Sequence, residues 1–408
     1  MNKLLLTNIG MLATPTGTGA KRGPEQGSIQ ILKDAWVLVE DSVIAQVGTG
    51  AAPRVTDAQV IDAEGKLVTP GLVDAHTHLI FGGWRQNELG MKLHGKTYLE
   101  IQNAGGGIQS TTNATRQATE EELTQKAAKA LDEMMSFGTT TVEAKSGYGL
   151  ATEHELKALQ VIKNLNDRHA MDIVATFMGA HLVPAEYKNN REEYIRLICE
   201  EMIPLVAKQG IAKFNDVFCE ADTFTVEESR QVLEAGKKYG LRPKIHADEI
   251  EAIGGSILAG EIGAISSEHL IVCPPEGIES LAKGGVIACL LPATSFNLGA
   301  TFAPARDMVN AGVPVAMASD FNPGSCPCLN LQFVINLGCL KYRLTPEEVL
   351  TAVTLNAAAA INMADKVGSV EPGKQGDLVI WDAPDLDYIC YRVGSNLVKT
   401  VIKKGAVI

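Results

Sequence analysis

Leu72-Val73-Asp74-Ala75-His76-Thr77-His78 is an apolar run that stops on two histidines. Its first half reads as a strand. Residues i and i+2 of a strand point the same way, so both imidazoles can reach one ion. A His-x-His pair alone is weak support for a metal, because a buried histidine with satisfied hydrogen bonds has the same pattern. The weight comes from what happens downstream. Strand-like stretches at 72–76, 139–143, 173–181, 216–220, 244–246, 265–269, 286–291 and 314–320 repeatedly stop on His, Asp or Glu. His246 closes the fifth of them and Asp320 the eighth.

The intervals carry apolar residues at helical spacing with charged faces, at 120–137, 153–168, 190–208, 226–239, 250–261 and 275–283. Eight strand-then-helix units over some 300 residues predict an α/β fold of the (β/α)8 TIM-barrel type, whose parallel strands all end on one chemically active rim. A doubly wound open sheet is the alternative, but it would usually present a Gly-rich phosphate turn after an early strand. Gly105-Gly106-Gly107 follows no clear strand and is read as a loop near the site or a plain turn. Outside this region the chain changes character. Short β segments at 4–9, 34–40, 42–47 and 59–62, and again at 377–381, 387–391 and 398–402, are punctuated by Gly, Pro and Asp. They predict a small β-sandwich built from both ends, with residues 1–65 and 366–408 flanking a barrel over 66–365.

His76, His78, His246 and Asp320 together make a three-histidine, one-carboxylate set of the first-row-metal type. Glu249 follows His246 by three residues, which carries it past the strand and over the site. There it could move protons between the attacking water, the substrate and a leaving nitrogen. The plainer reading is a helix-start glutamate favoured by the macrodipole. His269, at the sixth strand end, could orient the water or could be a buried structural histidine. Barrels that bridge two ions often use a carbamylated lysine at the end of strand four. Here the lysine of that stretch, Lys213, stands at its beginning, so one ion is expected.

The 408 residues carry 36 basic and 48 acidic side chains, a net charge of −12, which argues against a nucleic-acid partner. Hydrophobic residues at 46% and charged ones at 21% exclude a disordered chain. The N-terminal apolar run is too short for a secretory h-region, and no apolar stretch reaches the length of a membrane span. Reduced thiols are expected for the eight cysteines, Cys326 and Cys328 included, and the expected compartment is the cytoplasm.

The constellation resembles the amidohydrolase superfamily: Pro70-Gly71 leading into His76-Thr77-His78, then His246, then Asp320. The resemblance covers nearly the whole chain. It narrows through His78-Leu79-Ile80-Phe81-Gly82-Gly83-Trp84-Arg85, Asn103-Ala104-Gly105-Gly106-Gly107-Ile108, Lys145-Ser146-Gly147-Tyr148-Gly149-Leu150, Phe177-Met178-Gly179-Ala180-His181, His246-Ala247-Asp248-Glu249 and Ser319-Asp320-Phe321-Asn322-Pro323-Gly324-Ser325. These motifs are similar to those of the branch that opens 4-imidazolone-5-propanoate to N-formimidoyl-L-glutamate in histidine degradation. The resemblance implies one Zn2+ or Fe2+/Fe3+ ion per chain, a small-molecule substrate and a homodimer. It implies that Glu249 shuttles the proton, that His269 steers the water and that His181 donates to a developing oxyanion. Arg85 would clamp the propanoate, Tyr148 would touch the substrate, and Asn322, Gly324 and Ser325 would hydrogen-bond it. Tyr98, on the first-loop insertion, would be a substrate contact, or a core or lid aromatic. A purine or pyrimidine aminohydrolase is the nearest alternative, since it shares the His-x-x-Glu spacing. Arg85 and the Ser146-Gly147-Tyr148-Gly149 loop favour a substrate with a carboxylate. A scaffold protein that lost its chemistry would have lost ligands, and all four are present.

Overall fold

The chain begins with five strands, β1 (Lys3–Thr14), β2 (Gln30–Glu40), β3 (Val43–Thr49), β4 (Ala58–Asp62) and β5 (Leu67–Pro70). The computed structural model describes residues 3–96, 100–101 and 104–408. Eight parallel strands follow: β6 (Leu72–Asp74), β7 (Thr139–Lys145), β8 (Asp172–Ala180), β9 (Phe214–Cys219), β10 (Arg242–Ala247), β11 (Ser266–His269), β12 (Ile287–Leu290) and β13 (Val315–Met317). They pair in sequence order from β6 to β13. Between the two end strands, the backbone N–H of His78 donates to the Phe321 carbonyl at 2.8 Å, and that of Asp320 to the His76 carbonyl at 3.0 Å. A parallel bridge from Thr77 to Phe321 completes this seam. The expected barrel is therefore present, and its seam runs through the histidine pair and Asp320.

Near-continuous burial of the strands, as in Thr139–Lys145 and Ile287–Leu290, is what a parallel sheet covered by helices requires. The helices start and stop where local chemistry says. Thr119 with Glu122 and Thr225 with Glu228 form capping boxes at the heads of Glu120–Ser136 and Val226–Lys238. The expected helix at 190–208 is one continuous run, Arg191–Leu197 and Ile203–Gln209 joined by a π turn at Ile198–Met202.

Three strands near the C-terminus, β14 (Leu378–Trp381), β15 (Val398–Lys403) and β16 (Ala406–Val407), join the first five in a second sheet. The order is β16-β15-β14-β5-β1-β2-β3, with β4 pairing parallel to β1. Its core packs Leu4, Leu6, Val37, Val68, Leu378 and Ile402. Two readings need correction. The segment 387–391, expected as a strand, is a short helix, Leu386–Tyr391. The Asp385 carboxylate accepts the Tyr388 backbone N–H at 2.9 Å, and this N-cap outweighs the β propensity of Tyr-Ile-Cys-Tyr. The helix expected from 250 begins at Gly255 instead, because the preceding residues are tied down by a buried carboxylate described below. No described helix is long and apolar enough to cross a membrane.

Candidate active site

His76 and His78 leave β6 at the rim, and β10 brings His246 beside them. Asp320 arrives three residues beyond β13. All four side chains are buried. The Nε2 atoms of His76 and His78 lie 3.4 and 3.6 Å from Asp320 Oδ1, and the Nε2 atoms of His78 and His246 are 3.3 Å apart. Bonds of 2.0–2.1 Å to a tetrahedral ion put neighbouring donor atoms about 3.3 Å apart, so these three separations within the cage suit a zinc-sized ion. Neither His76 Nε2 nor Asp320 Oδ1 has a hydrogen-bond partner among the described residues. Two buried imidazole nitrogens face to face and an unpartnered carboxylate oxygen beside them are costly unless a cation joins them. Burial, and then neighbouring positive groups, hold the His76 and His78 rings well below the usual histidine range, so both are neutral and able to ligate at pH 7. Burial pushes Asp320 up to about 6.

Asp320 and His269 both sit in the left-handed region, at φ 56° and 67°. That conformation is uncommon outside glycine and turns each side chain off the course of its strand. His269 Nε2 lies 3.6 Å from Glu249 Oε2, and His76, His246 and His269 converge as a second possible ligand group. Glu249 is pushed up to about 8, first by burial and then by the charges of Asp320 and Glu220. Its position is fixed by a residue whose role the sequence does not announce. The Glu220 carboxylate accepts the backbone N–H groups of Glu249, Ile250 and Glu251 at 2.9, 2.8 and 2.9 Å.

His181, at the end of β8, stacks on His78 with ring centroids 4.9 Å apart. Its Nδ1 is 2.8 Å from the Gly147 carbonyl, an atom that only accepts. Nδ1 therefore carries the proton. Burial holds the ring down at about 3, so Nε2 is an acceptor. In this tautomer Nε2 has no proton to give, so the expected donation from His181 to an oxyanion would require a second proton on the ring. Tyr148 is buried within 5.1 Å of the His181 ring.

Arg85 is only 8% exposed, with Nε 3.8 Å from the Glu88 carboxylate and, among the described residues, no hydrogen bond from Nε or Nη1. Gly82 and Gly83 let its loop lie against the helix Gly107–Gln117. A Cβ on Gly82 would come within 2.3 Å of the Ala114 carbonyl oxygen. The Gly-rich turn lies against the Arg85 loop: Gly107 donates its N–H to Glu88 at 2.7 Å. A Cβ on Gly324 would stand 1.2 Å from Arg85 Nη2, so the guanidinium occupies the space a side chain there would take.

Asn322 is bonded within its own loop. Its Nδ2 donates to the Asp320 carbonyl and to Ser325 Oγ, both at 2.8 Å, and its Oδ1 accepts from Gly324 and Ser325 N–H groups. These bonds shape the loop that follows Asp320. Tyr98 lies outside the described residues. Lys213 precedes β9, on the rim opposite the cage, and is exposed.

A cage of three histidines and an aspartate on the rim of such a barrel, with a second sheet built from both termini, is the architecture of metal-dependent hydrolases. The model of the amidohydrolase family matches residues 67–408, and the chain belongs to that family. Within it the chain stands among the imidazolonepropionases. It is 50% identical to the imidazolonepropionase of Alkaliphilus metalliredigens over all of this chain and 98% of that protein. It is 53% identical to that of Brevibacillus brevis over 95% of this chain and 92% of the relative. Among solved structures, a triazine hydrolase variant superposes with a TM-score of 0.76 at 18% identity, covering 100% of this chain and 94% of that one. At that identity the likeness concerns the fold.

Proposed function

We propose that this chain hydrolyses 4-imidazolone-5-propanoate to N-formimidoyl-L-glutamate, a ring opening in histidine degradation. The observation that carries the reading is identity of about one half, over the full length, to imidazolonepropionases. His76, His78, His246 and Asp320 hold one divalent ion, zinc or iron. When bound, such an ion is a Lewis acid toward the ring carbonyl and lowers the pKa of water. The remaining work falls to the chain. Glu249 takes a proton from the attacking water and returns one to the leaving ring nitrogen, while the hydroxyl adds to the carbonyl carbon. His269, 3.6 Å from Glu249, orients that water. His181 Nε2 accepts an N–H of the substrate ring, the part its tautomer allows. Tyr148 packs beside it, and Gly324 and Ser325 hydrogen-bond the substrate. The purine or pyrimidine alternative loses ground because a neutral base offers no partner to the buried Arg85 guanidinium, whereas a propanoate does. Two copies per assembly and residence in the cytoplasm belong to the same proposal and rest on the family.

Arg85 gives the substrate test. A charge-assisted bond is worth about 1.5–3 kcal/mol, so Arg85→Ala should cost roughly ten- to hundredfold in kcat/KM. Arg85→Lys should recover only part, because an ammonium cannot form the fork. The loss should largely vanish for a ring analogue without the carboxylate. Gly324→Ala should reproduce the loss in a folded protein, because the flexible guanidinium is what must move aside. The double variant should then be little worse than either single one. Equal damage to the acid and the tail-less analogue would mean that Arg85 holds its loop and does not select the substrate.

A further inference from the structure

Below the cage, the barrel interior holds five charged side chains with no exposure at all: Glu143, Lys145, Asp216, Lys244 and Glu268. They come from β7 and, across β8 from it, the three adjacent strands β9, β10 and β11. The pairs Glu143 with Lys145, and Lys244 with His246, each share a strand face by their spacing of two. Lys145 Nζ bridges Glu143 at 2.7 Å and Asp216 at 2.8 Å. Lys244 Nζ lies 3.4 Å from Glu268 and 3.8 Å from Glu143. Thr176 and Ser266 hydroxyls donate to Glu143 and Glu268 at 2.5 Å each. The upper ends of this cluster reach the cage. His76 Nδ1 donates to Glu268 at 3.0 Å, and His246 Nδ1 donates to Asp216 at 3.1 Å.

We propose that Asp216 and Glu268 are positioning residues for the metal-binding histidines, fixing His246 and His76 with Nδ1 protonated and Nε2 turned into the cage, with Lys145 and Lys244 anchoring both carboxylates from below. The inference rests on the metal reading given above and names the residues that make the cage competent. Carboxylates accept and cannot donate, so each contact admits one neutral tautomer. A ring so held keeps its orientation without the ion and is a more basic ligand with it. The charges agree. Three carboxylates against two ammonium groups leave the cluster one negative charge, and Asp320 adds a second. A dication balances the pair, and nothing else described in the cage supplies that charge.

The test compares the full-length parent with Asp216→Asn and Glu268→Gln. Zinc affinity is measured by competition with a chelator, and the fold of each metal-free variant by circular dichroism. Partners of this kind are worth about ten- to hundredfold in metal affinity. That loss is expected in each folded variant. Binding within threefold of the parent would overturn the proposal. Should the variants fail to fold, the parent itself decides. With 15N-labelled histidine and zinc bound, two ligand rings should show slowly exchanging Nδ1–H protons. Protonation at Nε2 in either His76 or His246, or fast-exchanging Nδ1–H protons on all ligand rings, would overturn it. Because these readouts concern metal and tautomer, they stand apart from the substrate. A protein that binds zinc as described but leaves imidazolone propanoate intact would refute the proposed function and leave this inference standing.

Discussion

Glu249→Gln is expected to keep its metal and lose turnover by about 10²–10⁴-fold, the usual contribution of a positioned acid–base group. The side chain stands beside His269 and belongs to neither group of convergent ligand atoms, so the cage should bind as before. Glutamine matches the shape of glutamate but cannot carry a proton between water and the leaving nitrogen. The backbone around position 249 is held by Glu220 through main-chain N–H groups, so the substitution should not move the loop. Metal content and kcat measured on the same preparation check both halves. Near-normal turnover in a metal-replete variant would remove Glu249 from the mechanism.

Asp320→Asn should lose metal and activity together, with turnover down by about 10³-fold or more, since a Lewis acid contributes several kcal/mol and each 1.36 kcal/mol is a factor of ten. Asparagine is the better probe than alanine because it tolerates the left-handed conformation that position 320 adopts. It can still accept from the Thr294 hydroxyl, which donates to Asp320 at 2.6 Å. The amide is neutral, so the cage loses the charge that complements the cation. Chelation of the parent should abolish turnover and zinc or iron should restore it. Elemental analysis of the active parent should find one ion per chain. Two would contradict the single cage and point to His269 as part of a second one.

The parts of the fold that could be read from the chain are those with a strong local period. Long helices such as Thr152–Arg168 span several turns and register clearly, and the buried strands end within three residues of the expected positions. Pro346–Ala352 and Leu355–Ala360, which pack near the end of the barrel, are two turns or less and leave no periodic trace. The cage residues were legible because metal chemistry restricts residue type and strands restrict direction. The ions beneath it were not. Glu143-Ala144-Lys145 and Lys244-Ile245-His246 did show polar side chains two apart within apolar strands. Which charge meets which is decided by strand adjacency, as in Lys145 with Asp216, and no spacing along the chain states that. His181 and Asn322 teach a related limit. Both lie where motif reasoning put them, yet the Gly147 carbonyl and the Asn322 loop bonds set what each can still donate or accept.

One experiment bears most directly on the account: incubate the zinc- or iron-loaded protein with 4-imidazolone-5-propanoate and identify the product by mass and NMR. The account predicts N-formimidoyl-L-glutamate, one water heavier than the substrate, with no ammonia released and no reaction after chelation. An intact imidazolone in the presence of the loaded protein, or ammonia released from a purine or pyrimidine in its place, would contradict it.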